Sequence, residues 1–201
     1  TATGYSKLYV NAGKVTNKGI ELALGFKQNI GPVDWKTTLL WSLNRNRIDQ
    51  LLPEYTNEEL GVTVHLDEMD VYSLGGAKQR LTVGGSMGDV YVNTMRTDEH
   101  GHIWMNSMTG TLETDKNNYV YAGNTNPKYT LSWRNEFNWK GISLGFMLNA
   151  RVGGIGVSAT QAVMDYYGVS KTSAEARDNG GVKVNGQMID AQTWYQTIGA
   201  N

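Results

Sequence analysis

The sequence predicts an all-β chain of antiparallel hairpins whose long loops carry short helices. Two segments, about 15–48 and 127–156, alternate apolar and polar residues on either side of a short turn, which is the period of a strand. Glycine is abundant at 24 residues and proline scarce at 3, a usage that suits many strands separated by turns. No run approaches the roughly 18 apolar residues that a transmembrane helix needs. A β-barrel escapes that test, because only every second residue of its strands faces lipid.

The first hairpin places Ile20, Leu22, Leu24 and Phe26 on one face, with Glu21, Ala23, Gly25 and Lys27 on the other. After a turn at Gly31 and Pro32, Trp35, Leu39, Trp41 and Leu43 alternate with Lys36, Thr38, Ser42 and Asn44, and Leu40 is the exception. The second hairpin repeats the arrangement. Tyr129, Leu131, Trp133 and Phe137 oppose Lys128, Thr130, Arg134 and Glu136. Past the turn at Trp139, Lys140 and Gly141, the residues Ile142, Leu144, Phe146, Leu148, Ala150 and Val152 oppose Ser143, Gly145, Met147, Asn149 and Arg151.

Each strand therefore has one greasy face, and the open question is its solvent. A second protein sheet would cover it in a soluble sandwich, whereas lipid would cover it in an outer-membrane barrel. Strands of about ten residues match the roughly 9 to 11 that cross a bilayer at a tilt. Phe26, Trp35, Phe137 and Trp139 gather at the short turns, and Tyr129, Trp133 and Trp41 lie toward the far end, as two interfacial girdles would require. The short turns at 29–34 and 138–141 contrast with the long segments 49–125 and 157–201, an asymmetry typical of short periplasmic turns and long extracellular loops.

The long segments carry structure of their own. "RLTVGGSMGDVYVNTMRTDEHGHIWM" (80–105) reads as strand, turn and strand, with Asp98, Glu99, His100 and Gly101 in the turn. A helix is expected from Thr160 to a stop at Gly168, a further turn of helix at Ser173 to Arg177, and another helix capped by Asp190 and ended by Gly199.

Charge and chemistry narrow the function. With 18 basic against 19 acidic residues, no long-range field favours nucleic acid. The chain has no cysteine, so disulfides and thiolate metal sites are excluded. His100 and His102 beside Asp98 and Glu99 form a polar turn, where solvation explains them better than metal binding. The acidic residues Asp67, Glu68 and Asp70 lack the spacing of a calcium loop, and the glycine-rich pieces at 84–88 and 153–156 lack a dinucleotide fingerprint and a phosphate-loop lysine. No nucleophile, base and orienting acid assemble by spacing. Neither an enzyme nor a cofactor is expected, and no metal site is assigned. The loop aromatics Trp104, Tyr166, Tyr167, Trp194 and Tyr195 are the candidate substrate contacts, since such rings stack on sugars or grip peptide side chains; packing within the loops is the competing reading. Thr1 to Lys7 lack the basic and apolar regions of a secretory signal, so the chain is expected to be cytosolic, or else mature, processed or partial.

Five stretches, in order, resemble the SusC/RagA branch of TonB-dependent outer-membrane transporters of Bacteroidetes. They are "NAGKVTNKGIEL" (11–22), "WSLNRNRI" (41–48), "GGSMGDVYV" (84–92), "AGNTNPKYTLSW" (122–133) followed by "RVGG" (151–154), and "SAEARDNGG" (173–181). The third departs from the family at Ser86, where proline is usual, and after Tyr91; the fourth departs at Thr125. The resemblance implies a transmembrane antiparallel β-barrel of about 22 strands with an N-terminal plug. It implies localisation in the cell outer membrane, a SusD-like surface lipoprotein as lid, and TonB-driven nutrient uptake of oligosaccharides or peptides. On this expectation residues 1–201 are an internal part of one barrel domain, with membrane hairpins at about 15–48 and 127–156 and extracellular loops at about 49–125 and 157–201. The TonB complex would engage a part that precedes them. A soluble β-sandwich that binds a ligand is the alternative.

Overall fold

The structure is a computed structural model that describes residues 13–57 and 61–199. Residues 11 and 12 of the first family-like stretch lie outside the described residues, as do Thr1 to Lys7. Strands account for 59% of the described residues and helices for 14%, and the sheets are antiparallel, so the all-β class holds. In chain order the elements are β1 (Lys14–Ile30), β2 (Val33–Gln50), β3 (Leu52–Asn57), β4 (Val62–Leu66), β5 (Glu68–Leu74), β6 (Ala77–Thr82), β7 (Asp89–Met95), β8 (Thr114–Asn124), β9 (Tyr129–Trp139), β10 (Ile142–Val152), α1 (Ala159–Tyr166), α2 (Lys171–Asp178), β11 (Val182–Val184), β12 (Gln187–Ile189) and α3 (Ala191–Gly199). Two compact units emerge. One holds the described residues up to Met69 with Leu81–Met87 and Asn126–Gly154, and the other holds Asp70–Arg80, Gly88–Thr125 and the described residues from Ile155 onward.

The first unit is built on a four-stranded sheet ordered β1-β2-β9-β10. Both expected hairpins are present, and they join because β2 pairs directly with β9 from Val33↔Trp139 to Ser42↔Thr130. Neighbours in the sheet thus follow chain order, and the two short turns lie at the same end. Those turns rest on left-handed backbone: Gly31 has φ 59°, while Lys140 and Gly141 have φ 44° and 87°, the pair of positive angles that a tight two-residue hairpin turn demands.

Registers align the apolar residues across all four strands. Leu22 faces Trp41 and Leu24 faces Leu39; Trp41 faces Leu131 and Leu39 faces Trp133; Leu131 faces Ala150 and Trp133 faces Leu148. Because side chains alternate, a slip of one residue in any pair would break this face. The apolar stretch runs from Ile20 to Ile30 on β1 and from Val33 to Leu43 on β2. It spans the whole of β9 and β10, which have 11 residues each. Leu40, the exception to the alternation, points to the polar side.

Beyond Ser42 the pairing with β9 ends, and the backbone of β2 needs other partners. The glycine-rich segment 84–87 supplies them. Ile48 N–H donates to Gly85 O and Gly84 N–H to Ile48 O, each at 2.8 Å. Asn46 Oδ1 accepts from Met87 N–H at 2.7 Å, and Ile48 is fully buried.

A second four-stranded sheet is ordered β5-β6-β7-β8, and β3 and β4 form a separate ribbon. Here the structure differs from the expected strand, turn and strand over 80–105. Its turn at Asp98–Gly101 is present, closed by the bridge Thr97↔Ile103. However, β7 takes its partners from β6 and from β8; the 11-residue β8 offers a longer run of backbone partners than the short stretch after the turn.

The helices follow their caps. Ser158 accepts from Gln161 N–H, Ser170 from Ser173 N–H and Asp190 from Thr193 N–H. Gly168, at φ 70°, follows the C-cap residue of α1. The turn of helix expected at Ser173 to Arg177 is part of the longer α2. Helices this short draw stability from packing, and α3 packs against both α1 and α2. Gly199 permits a close approach of α3 to α1: a Cβ there would meet Ala162 O at 2.8 Å. Among the described residues, no helix is long and apolar enough to cross a membrane.

Candidate functional site

The sheet of the first unit presents two chemically opposite faces. On the apolar face an aromatic plate spans the turn end. Phe26 meets Trp35 edge-on at 5.8 Å, Trp35 stacks on Phe137 at 6.1 Å, and Phe137 stacks on Phe146 at 6.3 Å. Trp133 meets Phe146 edge-on at 6.2 Å and so joins this plate, while Trp41 and Tyr129 form a separate pair, 6.5 Å apart, toward the far end.

Two polar residues sit within the plate, and the alternation alone did not single them out. Asn135 is 1% exposed, and its Oδ1 accepts from Trp35 Nε1 at 3.1 Å. Thr37 Oγ1 accepts from Trp133 Nε1 at 2.9 Å and donates to Arg134 O at 3.3 Å. Each indole N–H is therefore satisfied inside the apolar face, which lets the rings lie flat against their neighbours. The Asn135 Nδ2 group has no hydrogen-bond partner. The sequence signal for the arrangement was weak, since only the β2–β9 register brings residues a hundred positions apart together.

On the opposite face, Glu136 meets Lys36 at 4.0 Å and is bonded by Arg134. Lys27 lies directly across from Lys36, and Met147 across from Arg134. Glu21, Thr38, Asn149 and Arg151 complete a charged and hydroxylated wall.

The ribbon of β3 and β4 is closed by His65. One ring nitrogen, Nδ1, meets the Pro53 carbonyl, and Nε2 lies 3.0 Å from Asp67 Oδ2. Both partners are acceptors, so the ring donates to both only when it is protonated. The Pro53 carbonyl, then Asp67, with a smaller effect from Glu54, raise its pKa above the ordinary 6.5. A raised folded-state pKa means the latch stabilises fully below about pH 6.5 and is lost as pH rises through the higher folded value. Amide exchange in β3 and β4 is expected to quicken on going from pH 6 to pH 8 more than simple base catalysis predicts. A His65→Gln variant should show no such excess.

In the second unit the loop aromatics fall into different surroundings. Trp104 lines a cavity of about 340 Å³ with Asp98, His102, Asn185 and Ile189, and the Arg96 guanidinium stacks over its ring at 4.3 Å. Asn185 clamps this loop with two bonds, accepting from Ile103 N–H at 3.1 Å and donating to Ile103 O at 2.7 Å. Asp98 accepts from the backbone N–H groups of His102 and His100, which hold its carboxyl below the usual range. Tyr166 borders an open groove of about 820 Å³ with Arg96, Glu113, Lys116 and Gln196. Tyr166, Tyr167 and Tyr195 line a cavity of about 440 Å³ beside Arg177. Trp194 is half-buried on α3 and lines none of these three. The tyrosines are thus brought together, Trp104 stands at a separate cavity, and a charged, amide-rich groove adds Arg96 and Gln196 to the candidates.

Arg80 and Lys78 form a further polar centre on the second sheet. Both bond Asp70, at 2.8 and 2.7 Å, and Lys78 lies 3.5 Å from the centre of the Tyr119 ring. Bonding by Arg80, then Lys78, lowers the Asp70 pKa. In comparisons with protein-family models and with curated proteins, the chain has no match.

Proposed function

We propose that this chain forms part of the wall and outer loops of a TonB-energised transporter in the outer membrane, working with a SusD-like lipoprotein to import oligosaccharides or peptides. The observation that carries the reading is the two-faced sheet. One side is apolar, apart from Gln28, Thr37 and Asn135, over about eleven residues of each of the four strands, and the other carries Glu21, Lys27, Lys36, Arg134, Glu136 and Arg151. A strand of that length crosses the apolar band of an outer membrane, with one face to lipid and the other to a water-filled lumen.

A soluble sandwich would lay a second sheet over the apolar face. Ile20, Leu24, Leu144 and Leu148 are instead more than half exposed, an area that would aggregate in water. The order β1-β2-β9-β10 also suits a barrel wall, in which chain neighbours are sheet neighbours. With both short turns at one end, the connections 51–128 and 153–201 leave from the other. The transport reading puts the turns in the periplasm and the connections outside the cell, where the tyrosine cavity and the groove at Arg96 would meet substrate. No catalytic step is assigned to the protein.

Single cysteines at Asn179 or Asp98 are expected to react with a membrane-impermeant reagent on intact cells. Labelling only after the outer membrane is broken would invert the topology, and recovery of the native protein in the soluble fraction without detergent would end the transport reading.

A further inference from the structure

The hairpin of β1 and β2 is longer than the apolar face, and its extension changes character on one side only. Immediately beyond Ile20 and Leu43, the side that was apolar carries Lys18 directly across from Arg45, then Thr16 directly across from Arg47. At the same level the other side carries Asn17 across from Asn46 and Gly19 across from Asn44, with no charge. Lys18, Arg45 and Arg47 are all exposed. Among the described residues the sole carboxylate on this strip is Asp49, which Thr16 bonds and which forms a long ion pair with Arg47 at 3.9 Å. Among the described residues no carboxylate pairs with Lys18 or Arg45.

Two cations placed directly opposite each other on a sheet repel, and an anion lying over them removes that cost. The same strip borders the aliphatic residues Ile20, Leu22 and Leu43. Just below, the Trp41 and Tyr129 rings mark the kind of amphipathic level found where a membrane meets water. A ligand that fits both halves has an anionic head and apolar tails.

We propose that Lys18, Arg45 and Arg47 bind the phosphate of an anionic membrane lipid whose acyl chains lie along the apolar face below. The proposal rests on the transmembrane reading of that face. A lipid is chosen over free phosphate because the cations stand on the apolar side and not on the side that carries the polar wall. Such a headgroup would fix the depth of the sheet in the bilayer at the end opposite the short turns.

The test uses the full-length protein reconstituted into vesicles of phosphatidylcholine containing a minority of phosphatidic acid, followed by native mass spectrometry of the lipid that stays bound. The wild type is expected to prefer phosphatidic acid to phosphatidylcholine by on the order of a hundredfold, since three basic side chains near a surface contribute on the order of 1 kcal/mol each toward an anionic headgroup. The triple variant Lys18→Gln, Arg45→Gln, Arg47→Gln should fall to parity, and Arg45→Gln alone should lose about fivefold and serves if the triple variant does not insert. A Lys27→Gln, Lys36→Gln variant on the polar side should keep the full preference. Equal retention by wild type and triple variant, or an equal loss in the polar-side variant, overturns the proposal while leaving the transmembrane reading intact. Full displacement of the lipid by an equal concentration of inorganic phosphate would overturn the choice of a lipid. A wild-type protein that does not insert into the vesicles would overturn the transmembrane reading itself.

Discussion

Leu148→Arg is expected to block assembly of the protein into the membrane, while Met147→Arg, one residue away, is expected to be tolerated. The two side chains are almost equally exposed, at 56% and 54%, and both lie near the middle of β10. For a protein bathed in water the substitutions would therefore cost about the same. They differ only in face: Leu148 lies across from Trp133, and Met147 across from Arg134. A cation on the lipid side of a barrel costs about 2 to 4 kcal/mol at the midplane and falls toward zero near the interfaces. Leu144→Arg, closer to the turn, should accordingly do less harm than Leu148→Arg. The fraction of heat-resistant, membrane-extracted protein measures all three.

Trp35→Ala should be the most damaging truncation of the apolar face. Trp35 touches Phe26 and stacks on Phe137, and its indole N–H satisfies Asn135 Oδ1. Its loss removes two ring contacts and uncovers a buried amide, a combined cost of about 3 kcal/mol. Trp139 lies at the end of β9 and is 45% exposed. Trp139→Ala should therefore cost about 1 kcal/mol or less, in line with a ring that covers little. Urea unfolding of the two variants in detergent micelles, against the parent protein, gives the comparison.

The hairpins were legible because alternation at period two is written directly into residues 20–43 and 129–152, and the turn residues Gly31, Lys140 and Gly141 fix where each strand reverses. The helix ends at Gly168, Asp190 and Gly199 were legible for the same local reason, since Asp190 and Gly168 act on residues within one turn, whereas the cap at Ser158, ahead of the expected start at Thr160, was not read from the sequence. What escaped was non-local. The joining of β2 to β9, with Trp35 above Asn135 and Trp133 above Thr37, depends on a register between segments about a hundred positions apart. The role of Gly84 and Gly85 as backbone partners for Ile48 has no periodic trace at all. The switch from Ile20 and Leu43 to Lys18 and Arg45 was visible as composition, but its one-sidedness needed the cross-strand pairs. The resemblance to an outer-membrane family supplied the transport reading, and the exposed apolar face is the structural feature that fits it.

Single cysteines placed one at a time from Ile142 to Val152, in full-length protein inserted into vesicles, offer the most direct measurement of which solvent each face meets. Each is coupled to a polarity-sensitive dye and read with a quencher confined to the lipid tails. The account predicts blue-shifted, strongly quenched emission at 142, 144, 146, 148, 150 and 152, and water-like, weakly quenched emission at 143, 145, 147, 149 and 151. Uniform water-like emission along the strand, or alternation in the opposite phase, would contradict it.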